Sequence, residues 1–122
     1  MKKLIFSFFL CGATMFPAFS QTYQELSERA VAATEQDSLS LAEKYIEQAL
    51  KMEPANPHNA LLFSNLGTIQ RWQHRYEQAL DSYTLALNIA PRAIPALMNR
   101  AALYLELGKD DLARIDYSLV LD

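Results

Sequence analysis

The chain has 122 residues, enough for one small domain, and a formal net charge of −3. It is 51% hydrophobic and 20% charged, with one cysteine, three glycines and five prolines. A single cysteine excludes a disulfide framework and a cysteine-ligated metal centre. The low glycine and proline content excludes a collagen-like or low-complexity chain. The acidic balance argues against a general binder of nucleic acid or anionic membranes.

The first twenty residues differ in composition from the rest of the chain. Lys2 and Lys3 precede an uncharged apolar run over residues 4–16, and small residues follow up to Ser20. A basic start, an apolar centre and small residues before a cut are typical of a secretory signal peptide. We expect residues 1–20 to be this signal, cleaved between Ser20 and Gln21, which would move the net charge to −5.

The alternative is an uncleaved membrane anchor, but a spanning helix needs about 20 apolar residues and this run is shorter. No later segment is apolar for long enough to span a membrane. The sequence therefore predicts export to the periplasm or cell envelope of a bacterium, with full secretion also possible.

Residues 21–122 contain an internal repeat. A shift of 34 residues pairs similar side chains: Phe63 with Leu97, Ala79 with Ala113, and Tyr83 with Tyr117. A shift of 37 residues places an earlier copy, Ala42, Ala49 and Pro54, before Ala79, Ala86 and Pro91. The three additional residues fit in a turn near Pro57. Fixed periods of this length indicate stacked repeats.

Apolar residues in each copy recur at the 3.6-residue spacing of amphipathic helices. Prolines and Gly108 fall where helices begin or end. The pattern predicts helices near residues 22–36, 39–53, 57–73, 76–89, 94–107 and 110–122.

The repeat resembles the tetratricopeptide repeat (TPR), a 34-residue helix–turn–helix unit. The residues that carry the resemblance in the middle copy are Phe63, Leu66, Gly67, Ala79, Tyr83, Ala86 and Pro91. Gln70 departs from the pattern because an aromatic residue is usual there, and Arg29 and Arg100 replace a leucine. The resemblance implies an all-α, right-handed superhelical solenoid. Its repeats would cover about residues 23–56, 60–93 and 94–122, the last one incomplete.

Catalytic and metal-binding patterns do not emerge from residues 21–122. His58 and His74 have no cysteine partner and no familiar metal-ligand spacing. Ser64, His74 and Asp81 could supply the residue types of a triad, but no strand–helix elbow surrounds the serine. We therefore expect no catalytic residue, no metal and no cofactor.

Stacked repeats of this family present a concave groove lined by the first helix of each unit. The resemblance assigns to it Gln24, Ser27, Glu28, Val31, Thr34, Leu61, Ser64, Asn65, Thr68, Arg71, Trp72, Met98, Asn99, Ala102, Leu105 and Glu106. The partner-binding residues expected among them are Leu61, Asn65, Thr68, Arg71, Trp72, Met98 and Asn99. Asn65 and Asn99 resemble the asparagines that hold the backbone of an extended peptide in this family.

The best-known subset of the family clamps the C-terminal carboxylate of a chaperone. This chain has Asn65 at one clamp position, but Ser27, Val31, Pro95 and Asn99 occupy the others. The sequence therefore does not support that specific activity.

Trp72 and Arg71 are the expected anchors of a partner, because tryptophan and arginine dominate the binding energy of many interfaces. The alternative for Trp72 is that it packs against the next repeat, near Tyr104.

The sequence thus predicts a non-catalytic scaffold or adaptor that binds a protein or peptide segment of unknown identity. One alternative is a periplasmic sensory module of a longer signalling protein, and another is an array attached to an enzyme domain beyond residue 122. The last helix would expose apolar residues, so we expect self-association there or continuation of the array.

Overall fold

The computed structural model describes residues 21–121, which form six α-helices and no strand. The helices are α1 (Tyr23–Glu35), α2 (Leu39–Met52), α3 (Asn59–Trp72), α4 (Tyr76–Ile89), α5 (Ile94–Glu106) and α6 (Asp110–Leu121). The six predicted helices are confirmed, each within two residues of its expected ends. The expected signal peptide and the Ser20 side of its cleavage site lie outside the described residues.

Helix starts and the turns between helices follow local chemistry. Thr22 and Glu25 form a capping box on α1: the Thr22 Oγ1 accepts the Glu25 N–H at 3.0 Å, and the Glu25 carboxylate accepts the Thr22 N–H at 3.0 Å. Asp37, His74 and Gly108 occupy equivalent turns and all have positive φ, between 61° and 76°. This left-handed conformation ends the first helix of each pair and turns the chain back into the second.

The helices form two layers. Each of α1, α3 and α5 packs closely on the helix that follows it; α3 also packs on α2, and α5 packs on both α3 and α4. Small residues permit the close approach, since Ala42, Ala49, Ala79 and Ala86 are fully buried. Gly67 is the tightest point: a Cβ atom on it would lie 2.7 Å from Cδ1 of Tyr83. The expected architecture, an all-α helical-repeat solenoid, is confirmed.

Two departures from the repeat pattern have partners on the neighbouring helix. Gln70 is buried and its side-chain oxygen accepts a hydrogen bond from the Ser82 hydroxyl at 2.6 Å. Arg100 makes two hydrogen bonds of 2.8 Å to the carboxylate of Asp116, which is only 1% exposed. The bonds to Asp116 raise the pKa of the Arg100 guanidinium above its usual value, against the opposing effect of burial.

The three additional residues between the first and second repeats also have a structural role. Asn59 is buried at the start of α3, accepts a hydrogen bond from the Tyr23 hydroxyl at 2.6 Å, and donates one to the Glu53 carbonyl at 2.8 Å. The amide thereby ties α1, the end of α2 and α3 together.

Ion pairs join successive repeats. Arg75 donates two hydrogen bonds, of 2.9 and 3.1 Å, to the carboxylate of Glu43 on α2. Arg71 on α3 pairs with Glu106 on α5, with its Nε donating to Oε1 at 2.6 Å.

Candidate partner-binding groove

The side chains of α1, α3 and α5 that point away from α2, α4 and α6 form one surface, which we call the groove. Five large apolar side chains on it are between 45% and 55% exposed: Val31, Leu61, Trp72, Met98 and Leu105. The same helices bury their other side, including Leu26, Leu66 and Leu97, in the core. The groove therefore exposes apolar side chains to solvent, which is typical of partner-binding surfaces.

One cavity of about 190 Å³ lies between α1 and α3, and we call it the Trp72 cavity. Its lining is Val31, Thr34, Glu35, Asn65, Thr68 and Trp72. Three of the predicted partner-binding residues, Asn65, Thr68 and Trp72, therefore lie together. Trp72 is 55% exposed, so about half of its surface is open to solvent.

A larger cavity of about 480 Å³ adjoins it along α1. Val31 lines both cavities, and the remaining lining residues of the larger one are Tyr23, Gln24, Ser27, Glu28, Asn56 and His58. The groove surface along α1 thus provides two neighbouring depressions, which suits a segment longer than one residue.

Leu61, Met98 and Asn99 lie apart from the Trp72 cavity. Leu61 lines a third cavity, of about 250 Å³, together with Ser64 and with Pro95 of the next repeat. Met98 is exposed and Asn99 half-buried on α5, at the positions equivalent to Ser64 and Asn65 on α3. The predicted set is therefore spread along the groove instead of forming one pocket.

Arg71 and Thr68 are already engaged within the fold. The guanidinium of Arg71 is held by Glu106, so its charge is balanced in the absence of a partner. Thr68 Oγ1 lies 2.9 Å from the Tyr83 hydroxyl. Burial raises the pKa of Tyr83, while the Thr68 hydrogen bond and the Arg71 charge act in the opposite direction. Arg71 and Thr68 thus stabilise the groove through contacts with neighbouring helices.

By contrast, the side-chain amides of Asn65 and Asn99 make no hydrogen bond to another residue within the described part of the chain. Both are half-buried on the groove side of their helices. An amide carries two donors and an acceptor, so each can bond both the N–H and the C=O of an extended backbone.

Glu35 and His58 are two groove residues that the repeat pattern did not predict. Glu35 lines the Trp72 cavity and His58 lines the two cavities at the other end. A signal for Glu35 was present, because residues 35, 72 and 106 are equivalent in the three repeats and two of them had been assigned to the groove. His58 belongs to the additional turn, which has no counterpart in the other repeats.

Within residues 21–121 no group of three or more histidine, cysteine, aspartate or glutamate side chains is arranged to hold a metal ion. In the same range, no helix is both long enough and apolar enough to cross a bilayer.

No protein-family profile matches the chain. Among solved structures, a tetratricopeptide repeat protein from Parabacteroides merdae is 44% identical with a TM-score of 0.78, over 84% of this chain. The chain spans only 40% of that protein's length. The second TPR of Spaghetti (RPAP3), bound to an HSP90 peptide, is 23% identical with a TM-score of 0.75, over 83% of this chain and 91% of that domain.

A third structure, MamA, has a TM-score of 0.78 at 19% identity and covers 87% of this chain and 61% of that one. The neighbours include TPR proteins at both high and low identity, and this chain shares their helical-repeat fold. The resemblance inferred from the repeat residues is thus supported by structure.

Proposed function

We propose that this chain is a tetratricopeptide-repeat scaffold without catalytic activity, which binds a protein or peptide segment in the groove. The observation that carries the proposal is Trp72: a large aromatic side chain, 55% exposed, lining a cavity between two repeats. Burial of such a side chain by a partner is favourable. The HSP90 peptides bound by the two TPR domains of Spaghetti (RPAP3) show that this fold accommodates peptides.

Binding would combine backbone and side-chain contacts. Asn65 and Asn99 would bond the partner's backbone, while Trp72, Leu61 and Met98 would bury its apolar side chains. Arg71 would contribute through its apolar stem and by holding Glu106 in place. The partner differs from a chaperone C-terminus in this proposal, because Ser27, Val31 and Pro95 replace the clamp residues.

A randomised library of immobilised twelve-residue peptides tests this function. We expect the wild-type protein to bind a subset, and Trp72→Ala to weaken binding about 30-fold, the effect of a 2 kcal/mol hot spot. Asn65→Ala/Asn99→Ala should weaken it for most peptides. Asn88→Ala is the matched control, since Asn88 is exposed on α4 in the other layer. Equal binding by all four proteins would remove the groove assignment.

We also propose export to the bacterial cell envelope after removal of residues 1–20. The support is the order of charge, apolar run and small residues at the start of the chain. Intact-mass measurement on protein from a bacterial periplasmic fraction should give a chain beginning at Gln21, and Lys2→Glu/Lys3→Glu should reduce export. A mass that retains residues 1–20 contradicts the proposal.

The end face formed by α5 and α6 is a second surface, and we propose that either a second copy of the chain or a continuation of the array covers it. Leu121 is 87% exposed, whereas the equivalent Leu87 of the previous repeat is 7% exposed because α5 packs there. Sedimentation at increasing concentration should show a dimer that Leu121→Lys weakens. A monomer that binds no hydrophobic dye at any concentration would contradict this.

A further inference from the structure

The Trp72 cavity brings together three kinds of group. Trp72 provides an aromatic face, Glu35 a carboxylate, and Asn65, Thr34 and Thr68 neutral oxygen atoms. Its volume of about 190 Å³ suits one side chain and not a larger group. Each kind of group favours a cation: an aromatic face attracts it, a carboxylate balances its charge, and oxygen atoms accept its N–H bonds.

The carboxylates that line the Trp72 cavity and the larger cavity beside it have no cation among the lining residues. Glu35 lines the Trp72 cavity and Glu28 lines the larger cavity beside it, and neither lining contains a lysine or arginine. The nearest cation on α3, Arg71, is already paired with Glu106. The groove between α1 and α3 is therefore complementary to positive charge.

The repeat places these groups in a row. Glu35, Trp72 and Glu106 occupy equivalent positions near the ends of α1, α3 and α5, so the aromatic ring has a carboxylate position on each side. Glu106 is neutralised by Arg71, whereas Glu35 makes no ion pair with any other described residue. Glu35 is thus the carboxylate available to a partner.

We propose that the Trp72 cavity binds a lysine or arginine side chain, and that the partner of the groove is consequently a basic, extended segment. This rests on the proposed peptide-binding function and specifies its partner. The cation lies over the indole ring and pairs with Glu35, while Val31 contacts the apolar stem of the same side chain.

The same library of twelve-residue peptides tests the proposal. The measured quantity is the enrichment of each residue type among the bound peptides. The wild-type protein should select lysine and arginine over aspartate and glutamate. Glu35→Gln, which keeps the shape of the side chain, should reduce that selection about threefold, the value of one exposed ion pair. Glu47→Gln is the matched control, because Glu47 is exposed on α2 in the other layer.

Two further measurements separate charge from shape. Raising the salt concentration from 50 to 500 mM should weaken binding of basic peptides to the wild-type protein more than to Glu35→Gln. Trp72→Leu, which keeps an apolar side chain but removes the ring, should lower affinity for lysine-containing peptides more than for peptides with norleucine at the same place.

The outcomes distinguish the two proposals. Bound peptides that show no charge preference, or that are enriched in aspartate and glutamate, refute the basic-partner proposal and leave the groove function intact. An unchanged selection by Glu35→Gln also refutes it. Absence of binding by every peptide, with unchanged fluorescence from Trp72, refutes the groove function and the basic partner together.

Discussion

Removal of the Asp116 carboxylate should strongly destabilise the last repeat. Asp116 is 1% exposed and accepts two hydrogen bonds of 2.8 Å from Arg100. The substitution Asp116→Ala leaves the Arg100 guanidinium with the Thr84 hydroxyl, at 3.1 Å, as its remaining hydrogen-bond partner and with the Tyr104 ring, whose centroid is 5.7 Å away. The guanidinium charge then remains between the helices without its countercharge.

The expected loss in free energy of unfolding follows from the burial of the Arg100–Asp116 pair. Breaking a buried ion pair by removing one partner costs about 3–5 kcal/mol. The Arg100 side chain is 18% exposed, so it can reach water in part, and the lower end of that range applies. We expect Asp116→Ala to reduce the free energy of unfolding by about 3 kcal/mol, and Arg100→Leu to reduce it by at least as much because Asp116 is more deeply buried.

Urea unfolding followed by circular dichroism at 222 nm measures these differences. With an m value of about 2 kcal/mol per molar, Asp116→Ala should lower the midpoint by about 1.5 M. The double variant Arg100→Leu/Asp116→Ser places in the last repeat the residues that the middle repeat has, Leu66 and Ser82. Its stability should return to within about 1 kcal/mol of wild type or exceed it, since no charge remains buried.

Two results would refute this reasoning. A loss below about 0.5 kcal/mol for Asp116→Ala would mean that the pair contributes no more than an exposed ion pair. A double variant as unstable as the worse single variant would mean that packing, and not charge, determines the cost.

The other predictions concern single contacts, each measured by the same urea unfolding. Gly67→Ala should destabilise by about 1–2 kcal/mol, because the clash with Tyr83 exceeds the gain in helix propensity, and a stabilised variant would contradict this. Asn59→Ala should cost about 2 kcal/mol, since it leaves the buried Tyr23 hydroxyl without its acceptor; a loss under 0.5 kcal/mol would show that water replaces the amide. Burial raises the pKa of Tyr83, so the fold favours the protonated phenol: its contribution is complete below pH 10 and is lost as the pH rises above that value. Tyr83→Phe should flatten the alkaline loss of stability more than the control Tyr45→Phe, and equal slopes would contradict the assignment.

The helices and their stacking could be predicted from the sequence because they depend on local patterns. The spacing of apolar residues located α1 to α6, and Gly108 marked a left-handed turn that Asp37 and His74 also adopt. Gly67 carries part of the repeat resemblance, and in the structure it lies where Tyr83 approaches most closely.

Contacts between side chains on different helices could not be predicted in the same way. Arg100 and Gln70 stood out as departures, but identifying Asp116 and Ser82 as their partners requires the rotation of one helix against another. The pairing of the expected anchor Arg71 with Glu106 was not predicted for the same reason. Repeat periodicity identifies equivalent positions in different repeats, whereas these contacts join positions that are not equivalent.

The two ion pairs between repeats make the repeats of this array non-interchangeable. Glu43 and Arg75 join the first repeat to the second, but the equivalent residues at the next junction are Leu80 and Lys109. Arg71 and Glu106 join the second to the third, where the earlier junction has Thr34 and Trp72. A chain with its repeats in any other order would separate at least one of these two pairs. The order of units along the solenoid is therefore encoded in its polar contacts, while the shared alanine and aromatic positions encode only that the units stack.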